Sequence, residues 1–290
     1  MIWPWFLLAV IVLLVLALLA YWQMVIAEGA YLGRWVVAKS YDWFARRYDG
    51  VKRFDPRAER WYVAGPLMQG LWRVKEPLVL DVATGTGRLP LALFGEGFAG
   101  QIIGLDLSLG MLRQARDKLA PYSDHVYLVW QDASRLPFDD GVFDAVTCLE
   151  ALEFLPRPLS ALAEMVRVLA PDGILFLTNR VGPEARFLPG RAIPRPCFEE
   201  ILAELPLRDV QVRRWQVDYD LALARKLGQP AGPTMASSTS KDSALESLLH
   251  CPKCGGELRW NADSPVCTPC KSAYPARDGI VQLAASRRKN

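Results

Sequence analysis

The stretch Leu78-Val79-Leu80-Asp81-Val82-Ala83-Thr84-Gly85-Thr86-Gly87-Arg88-Leu89 constrains this chain more than any other. The apolar run Leu78 to Val82 reads as a buried parallel strand, Ala83 to Gly87 as a tight turn, and Leu89 to Phe94 as the start of a helix. Glycine has no Cβ, so such a turn lets backbone approach a ligand closely. The helix that follows points free N–H groups and the positive end of its dipole at any carboxylate or phosphate. A second apolar run, Ile102 to Leu105, ends in Asp106. An acidic residue at the tip of the second strand, about 20 residues beyond the glycines, is placed to accept hydrogen bonds from ribose hydroxyls.

Glycine spacing separates two ligand classes. A dinucleotide fingerprint needs glycine or alanine three residues after its second glycine, for close packing of helix on strand. Pro90 stands there instead. The stretch resembles motif I of class I S-adenosylmethionine-dependent methyltransferases, with Ala83 at the position of the first glycine, a form similar to that of quinone and other small-molecule methyltransferases.

The βα alternation continues. Leu109 to Leu119 reads as a helix capped by Ser108, Val126 to Trp130 as a third strand, and Phe143 to Leu149 as a fourth. A helix over Leu159 to Leu169, a turn at Pro171-Asp172-Gly173 and a fifth strand, Ile174 to Thr178, follow. Phe198 to Leu205 looks helical, and Val210 to Tyr219 alternates as antiparallel end strands do. The fold class is therefore α/β, a doubly wound and mostly parallel sheet, over residues 77–227. Ligands on such sheets sit at the carboxyl ends of the strands.

This order resembles the class I methyltransferase fold through "LDVATGTGR", "GLDLS", "QDASRLPF", "FDAVTCLEALEF" and "LAPDGILFL". By that resemblance Ala83, Gly85 and Gly87 pass the methionine part of S-adenosylmethionine and Asp81 faces its amino group. Asp106, with Leu107, takes the ribose, Asp132 and Ala133 lie at the adenine edge, and Leu149 lines the pocket. Methyl transfer needs a base only if the acceptor loses a proton, and Glu150, just after the fourth strand, is the candidate. Glu150 and Glu153 could equally be surface helix residues. Neither His125 nor Cys148 and Cys197 carries a catalytic pattern, and all three read as structural. The Asn/Asp-Pro-Pro-Tyr signature of nitrogen-directed methyltransferases is missing after strand four.

Residues 1–27 read as a transmembrane anchor. Ile2 to Ala27 carries no charged side chain, a helix of ~20 such residues spans the hydrocarbon core, and Trp3, Trp5, Tyr21 and Trp22 fit interfacial belts. A cleaved signal peptide would carry a basic start and a small-residue cleavage site. Arg34, Lys39, Arg46, Arg47 and Lys52 follow the helix, so the positive-inside rule places the N-terminus outside and the catalytic body in the cytoplasm, in a single-pass membrane protein. Residues 28–76 read as juxtamembrane or cap helices. The run Tyr41-Asp42-x-x-Ala45-x-x-Tyr48-Asp49 resembles the segment that closes over the cofactor in many small-molecule methyltransferases.

Residues 228–244, rich in Gly, Pro, Ser and Thr, read as a flexible linker. In residues 245–286 the pairs Cys251/Cys254 and Cys267/Cys270 supply four thiolates for a tetrahedral Zn²⁺, with His250 a weaker ligand. This small zinc ribbon resembles the family that includes the activator subunit of several tRNA, rRNA and release-factor methyltransferases, which implies contact with a methyltransferase domain, its own or a partner's. The terminal Arg287, Arg288 and Lys289 read as a solvated tail.

A net charge of +3 gives no firm nucleic-acid signal. These features combine into a membrane-anchored methyltransferase that meets a lipophilic small-molecule or lipid acceptor at the bilayer. The alternatives are an RNA or protein methyltransferase served by the ribbon, and a scaffold that binds the cofactor without turnover.

Overall fold

The structure is a computed structural model and describes residues 3–229, 247–261 and 264–284. Most of the expected linker, the ends of the expected ribbon segment and the tail with Arg287, Arg288 and Lys289 lie outside the described residues.

The chain opens with α1 (Trp3–Tyr21), which runs on through a π-helical turn to Ile26. By length and composition this helix can cross a membrane, and none of its most apolar stretch is buried. Then come α2 (Arg34–Lys52), α3 (Pro56–Glu59) and α4 (Gly65–Leu71). The βα units follow as β1 (Leu78–Val82), α5 (Arg88–Gly95), β2 (Gln101–Asp106), α6 (Leu109–Leu119), β3 (Val126–Trp130), β4 (Phe143–Cys148), α7 (Pro158–Val168) and β5 (Leu169–Arg180). After them come α8 (Arg195–Glu204), β6 (Leu207–Trp215) and β7 (Tyr219–Lys226), then β8 (Leu258–Asn261), β9 (Ser264–Cys267), β10 (Ala276–Arg277) and β11 (Ile280–Gln282).

Nine strands form one sheet in the order β10-β11-β3-β2-β1-β4-β5-β7-β6. β1 to β5 are parallel, and β7 and β6 close the far edge antiparallel. Strands β1, β2 and β4 are largely buried on both faces, which is why β1 and β2 are rich in Val, Ile and Leu and β4 sets Ala145, Val146, Thr147 and Cys148 in succession. Strand order reverses at β1 and β4, so their carboxyl ends open a crevice. The Pro171-Asp172-Gly173 turn lies inside β5 rather than before it. Leu169 already pairs with Phe143 and Ile174 with Ala145, so the residues between them bulge out, with Asp172 left-handed at φ 64°.

The cysteine-rich tail is not a separate bead. β11 adds to β3 in parallel, Ile280 opposite Leu128 and Gln282 opposite Trp130. Leu249, Leu258, Val281 and Leu283 join the core that holds Val129, Leu136 and Phe138. Backbone N–H groups of His250 and Leu283 reach Pro137 O and Trp130 O at 2.8 and 3.0 Å.

Candidate functional site

Over the carboxyl ends of β1 to β4 lies a cavity of about 770 Å³, its mouth included. Ala83, Gly85, Asp106, Leu107, Asp132, Ala133, Leu149 and Glu150 all lie on its wall. Asp81 and Gly87 do not. Asp81 is 3% exposed and its Oδ1 accepts the Thr147 hydroxyl at 2.7 Å, one layer behind the wall.

The two glycines do different work. A Cβ on Gly85 (φ 56°) would meet no protein atom within 4 Å, so the space beside it is left for a ligand. A Cβ on Gly87 (φ 83°) would stand 2.8 Å from Leu119 Cδ1, so this glycine lets α5 pack on α6. Ala83 also sits left-handed, at φ 57°. There an L-residue is strained by roughly 1–2 kcal/mol, which explains why a glycine is the commoner residue in the motif that it resembles.

Asp106 organises the turn. Its Oδ2 accepts from Gly85 N and its Oδ1 from Ser108 N, each at 2.8 Å. A carboxylate has about four lone-pair sites, so accepting capacity is left for a ligand hydroxyl. Burial pushes both Asp106 and Asp81 up to about 6. At the β3 end, Asp132 pairs with Arg34 of α2 and accepts from Ser134 N at 2.9 Å.

Helix α2 forms the roof. Asp42 and Asp49, seven residues apart, share a face of the helix. Asp42 Oδ1 accepts from Ser108 Oγ and Gly110 N, both at 2.7 Å. Asp49 accepts the Thr86 hydroxyl at 2.6 Å and pairs with Lys118 at 2.8 Å. Thus α2 is pinned to the motif turn and to α6, with Val37, Ala38, Tyr41 and Tyr48 against the cavity. The connector from α1 is tied down too. Trp22 Nε1 donates to Phe187 O and Tyr31 to Pro189 O, each at 2.9 Å, while Arg191 bonds Ala30 O and Leu155 O.

Glu150 is buried at the cavity wall rather than on a surface helix, and it is held by two cations. Its carboxylate meets Lys52 Nζ at 2.8 Å and Arg88 Nη1 at 2.6 Å. Burial acts to raise its pKa, but Lys52 and Arg88 together outweigh that and hold it below the ordinary value. Such a carboxylate is a weak base. Its geometry is that of a bridge between β4, α2 and α5. Arg88 also forks onto Glu59 at 2.7 and 2.8 Å and lies 4.1 Å over the Phe54 ring. Glu153 is buried as well and accepts the Tyr219 hydroxyl at 2.7 Å. Sequence reasoning missed Arg34, Met111, Gln131, Phe154, Leu155 and Pro156 as lining, and missed the Arg88 knot. Only the aromatic and aspartate spacing of α2 signalled the roof.

The Sγ atoms of Cys251, Cys254, Cys267 and Cys270 lie within 4.8 Å of one another. The pairs Cys251/Cys270 and Cys254/Cys267 are 3.6 and 3.4 Å apart, too far for disulfides. A tetrahedron with ~2.3 Å metal–sulfur bonds has edges of ~3.8 Å, so the four thiols fit a Zn²⁺ ion. His250 is not among them; its Nε2 lies 3.0 Å from Asp139.

The sheet order, the glycine turn and the acid at the tip of β2 give the class I methyltransferase fold. Residues 80–177 match the family model described as a methyltransferase domain. A demethylmenaquinone methyltransferase of Staphylococcus epidermidis is 45% identical over 105 residues, 36% of this chain and 43% of that protein. One from Desulfitobacterium hafniense is 36% identical over 146 residues, 45% of this chain and 58% of that one. A malonyl-acyl-carrier-protein O-methyltransferase of Geobacter sulfurreducens is 42% identical over 101 residues, 35% of this chain and 38% of that protein. The chain thus spans roughly two fifths to three fifths of these relatives. Among solved structures, an S-adenosylmethionine-dependent methyltransferase of Methanococcus maripaludis superposes with TM-score 0.50 at 17% identity, covering 67% of this chain and 94% of that one. The cyclase SpnF superposes with TM-score 0.56 at 20% identity, covering 68% and 98%. These likenesses speak to fold alone.

Proposed function

We propose that the chain is a membrane-anchored methyltransferase that uses S-adenosylmethionine and acts on a lipophilic small molecule or lipid. The observation that carries this reading is the cavity itself. It runs from the polar Asp106 and Asp132 end to a wall of Ala151, Phe154, Leu155 and Pro156, under a roof that continues from the apolar helix α1. S-adenosylmethionine supplies an electrophilic methyl group on sulfur. Asp106 and Leu107 hold its ribose, Gly85 leaves room beside it, and Asp132 with Ala133 borders the base. The apolar wall and the docked roof exclude water and position the acceptor, which for an in-line displacement supplies much of the rate. The helix α1 keeps the cavity at the bilayer, with the catalytic body in the cytoplasm, and Cys251, Cys254, Cys267 and Cys270 hold Zn²⁺. The quinone relatives favour an acceptor with a ring and a lipid tail.

The test incubates membranes carrying the full-length protein with S-adenosylmethionine labelled on its methyl group, with Asp106→Ala as control. Label in the organic extract supports the reading; label confined to RNA or protein overturns the lipophilic acceptor.

One observation favours that second outcome. A groove between the cysteine-rich module and the sheet edge is lined by Arg34, Arg135, Lys253, Lys271 and Arg277 against the one carboxylate Asp132. Such a groove suits a polyanion, and salt-sensitive RNA binding would mark it.

A further inference from the structure

The relay that receives the acceptor's proton rests on the reading above as a methyltransferase, and goes beyond it. We propose that Tyr41 is a catalytic residue of the cavity, its hydroxyl accepting the proton of a phenolic or enolic acceptor while it passes its own proton to Glu28.

Tyr41 stands on the cavity wall, and its hydroxyl donates to Glu28 Oε2. The phenolic oxygen gives its proton to that bond and keeps its lone pairs to accept another. Glu28 lies in the connector between α1 and α2, half-buried, with its backbone left-handed at φ 48° beside the buried Ala27 and Gly29. Glycine would take that conformation without strain. The chain instead places a glutamate there and turns its carboxyl inward onto a cavity-lining phenol.

The other acids at this end are committed elsewhere. Glu150 is held by Lys52 and Arg88, and Glu153 accepts from Tyr219 behind the wall. Tyr48 also lines the cavity, but among the described residues no carboxylate accepts its hydroxyl. The groups that face Glu28 are Tyr41 and Lys52 of α2, Arg180 at the end of β5, and Glu150 after β4; it also bears on Glu153. Burial is the largest influence and raises Glu28 above its ordinary value, against the opposing pull of the Tyr41 hydrogen bond and of Lys52 and Arg180. Tyr41 is raised well above the usual phenol by burial and by Glu28, so it acts by passing a proton on rather than by ionising.

The apolar wall says what the relay serves. An acceptor that fills the space beside Val37, Met111 and Phe154 is itself apolar, and only one that loses a proton on methylation gains from a base. In the step, the acceptor O–H proton moves to Tyr41 Oη and the Tyr41 proton to Glu28 Oε2. A bond forms between the acceptor oxygen, or the ring carbon conjugated to it, and the methyl carbon. The carbon–sulfur bond breaks with its electron pair left on sulfur. With attack through carbon, the ring C–H proton afterwards moves to the ring oxygen and restores the hydroxy form, and in either case Glu28 gives its proton to water and Tyr41 is left as the neutral phenol.

The experiment uses full-length protein in its membranes, wild type beside Tyr41→Phe, Glu28→Gln and Glu28→Asp. It follows labelled methyl transfer into the organic extract against pH, and S-adenosylmethionine binding by calorimetry. The first two variants are expected to lower kcat by ~10²–10⁴-fold, the usual worth of general acid–base help, with cofactor affinity little changed. The wild-type rate should rise with pH as Glu28 ionises, and that acid limb should vanish in Glu28→Gln and persist, on a slower rate, in Glu28→Asp. Infrared titration of the cofactor-free protein should show a carboxyl band that ionises above the ordinary range and is missing from Glu28→Gln. Variants that keep the wild-type rate and acid limb overturn the relay alone. Wild-type protein that binds cofactor yet labels nothing overturns the methyltransferase reading and the relay with it.

Discussion

Asp106 gives one oxygen to Gly85 N and the other to Ser108 N, so a single side chain fixes both the glycine turn and the start of α6. Asp106→Ala should weaken cofactor binding by roughly 1–3 kcal/mol, from the lost hydrogen bonds and the freed turn; calorimetry that finds unchanged affinity would remove Asp106 from the site. Burial raises Asp106 and Asp81 from 3.8 to about 6, so the folded state prefers both groups protonated. Their contribution to stability is full below the unfolded value and is lost as pH rises through about 6. Thermal melting of the cofactor-free protein should therefore show a destabilising component between pH 3.8 and about 6 that Asp106→Asn reduces. Ligand hydroxyls donate best to the ionised carboxylate, so cofactor affinity should climb across the same window. Glu150 works in the opposite sense. Its lowered pKa contributes stability above the unfolded value of 4.5, lost as pH falls through the folded one.

Among the elements, α2 couples roof to floor. The approach is close enough that a Cβ on Gly110 would stand 2.8 Å from Asp42 Cα and 2.9 Å from Asp42 O. Alanine is intrinsically the better helix former by up to ~1 kcal/mol. Backbone atoms cannot yield as a side chain does, so overpacking of ~1–3 kcal/mol should win. Gly110→Ala is expected to lower the melting temperature and to weaken cofactor binding, because α2 carries Tyr41 and Tyr48 on the cavity wall; a variant that binds and melts like wild type would mean that the roof adjusts freely. Elements of this kind were legible where pattern or capping was strong. Leu78–Val82, Leu109–Leu119 with its Ser108 cap, and Val126–Trp130 stand where the sequence puts them. Legibility failed where a contact joins distant segments. Nothing near Glu150 in sequence announces Lys52 or Arg88, and a lone Glu28 after an apolar helix looks like a solvated end. Gly87 looked like Gly85 until Leu119 was seen against it. The three residues of β11 are too few to carry a period, so their place in the sheet was hidden.

At the scale of the molecule, the cysteine-rich module completes the sheet that carries the site. Ile280 and Val281 are buried where β11 meets β3, and β3 ends at Gln131 and Asp132 on the cavity. The module's own two-stranded sheet, β8 with β9, is far too small to fold alone. Its order should therefore depend on a metal ion at the proposed site of Cys251, Cys254, Cys267 and Cys270. Chelation, or Cys254→Ser, should release the module and leave β3 as an open edge. Hydrogen exchange should then quicken at Val126–Trp130 and Ile280–Gln282, while Leu78–Val82, between β2 and β4, keeps its protection. Cofactor affinity should fall less than for Asp106→Ala, because Asp132 keeps Ser134 and Arg34 as partners. If β11 stays protected after the metal is gone, burial against Val129 and Phe138 holds the module in place by itself. If Leu78–Val82 loses protection as well, the module is part of one cooperative unit with the methyltransferase domain.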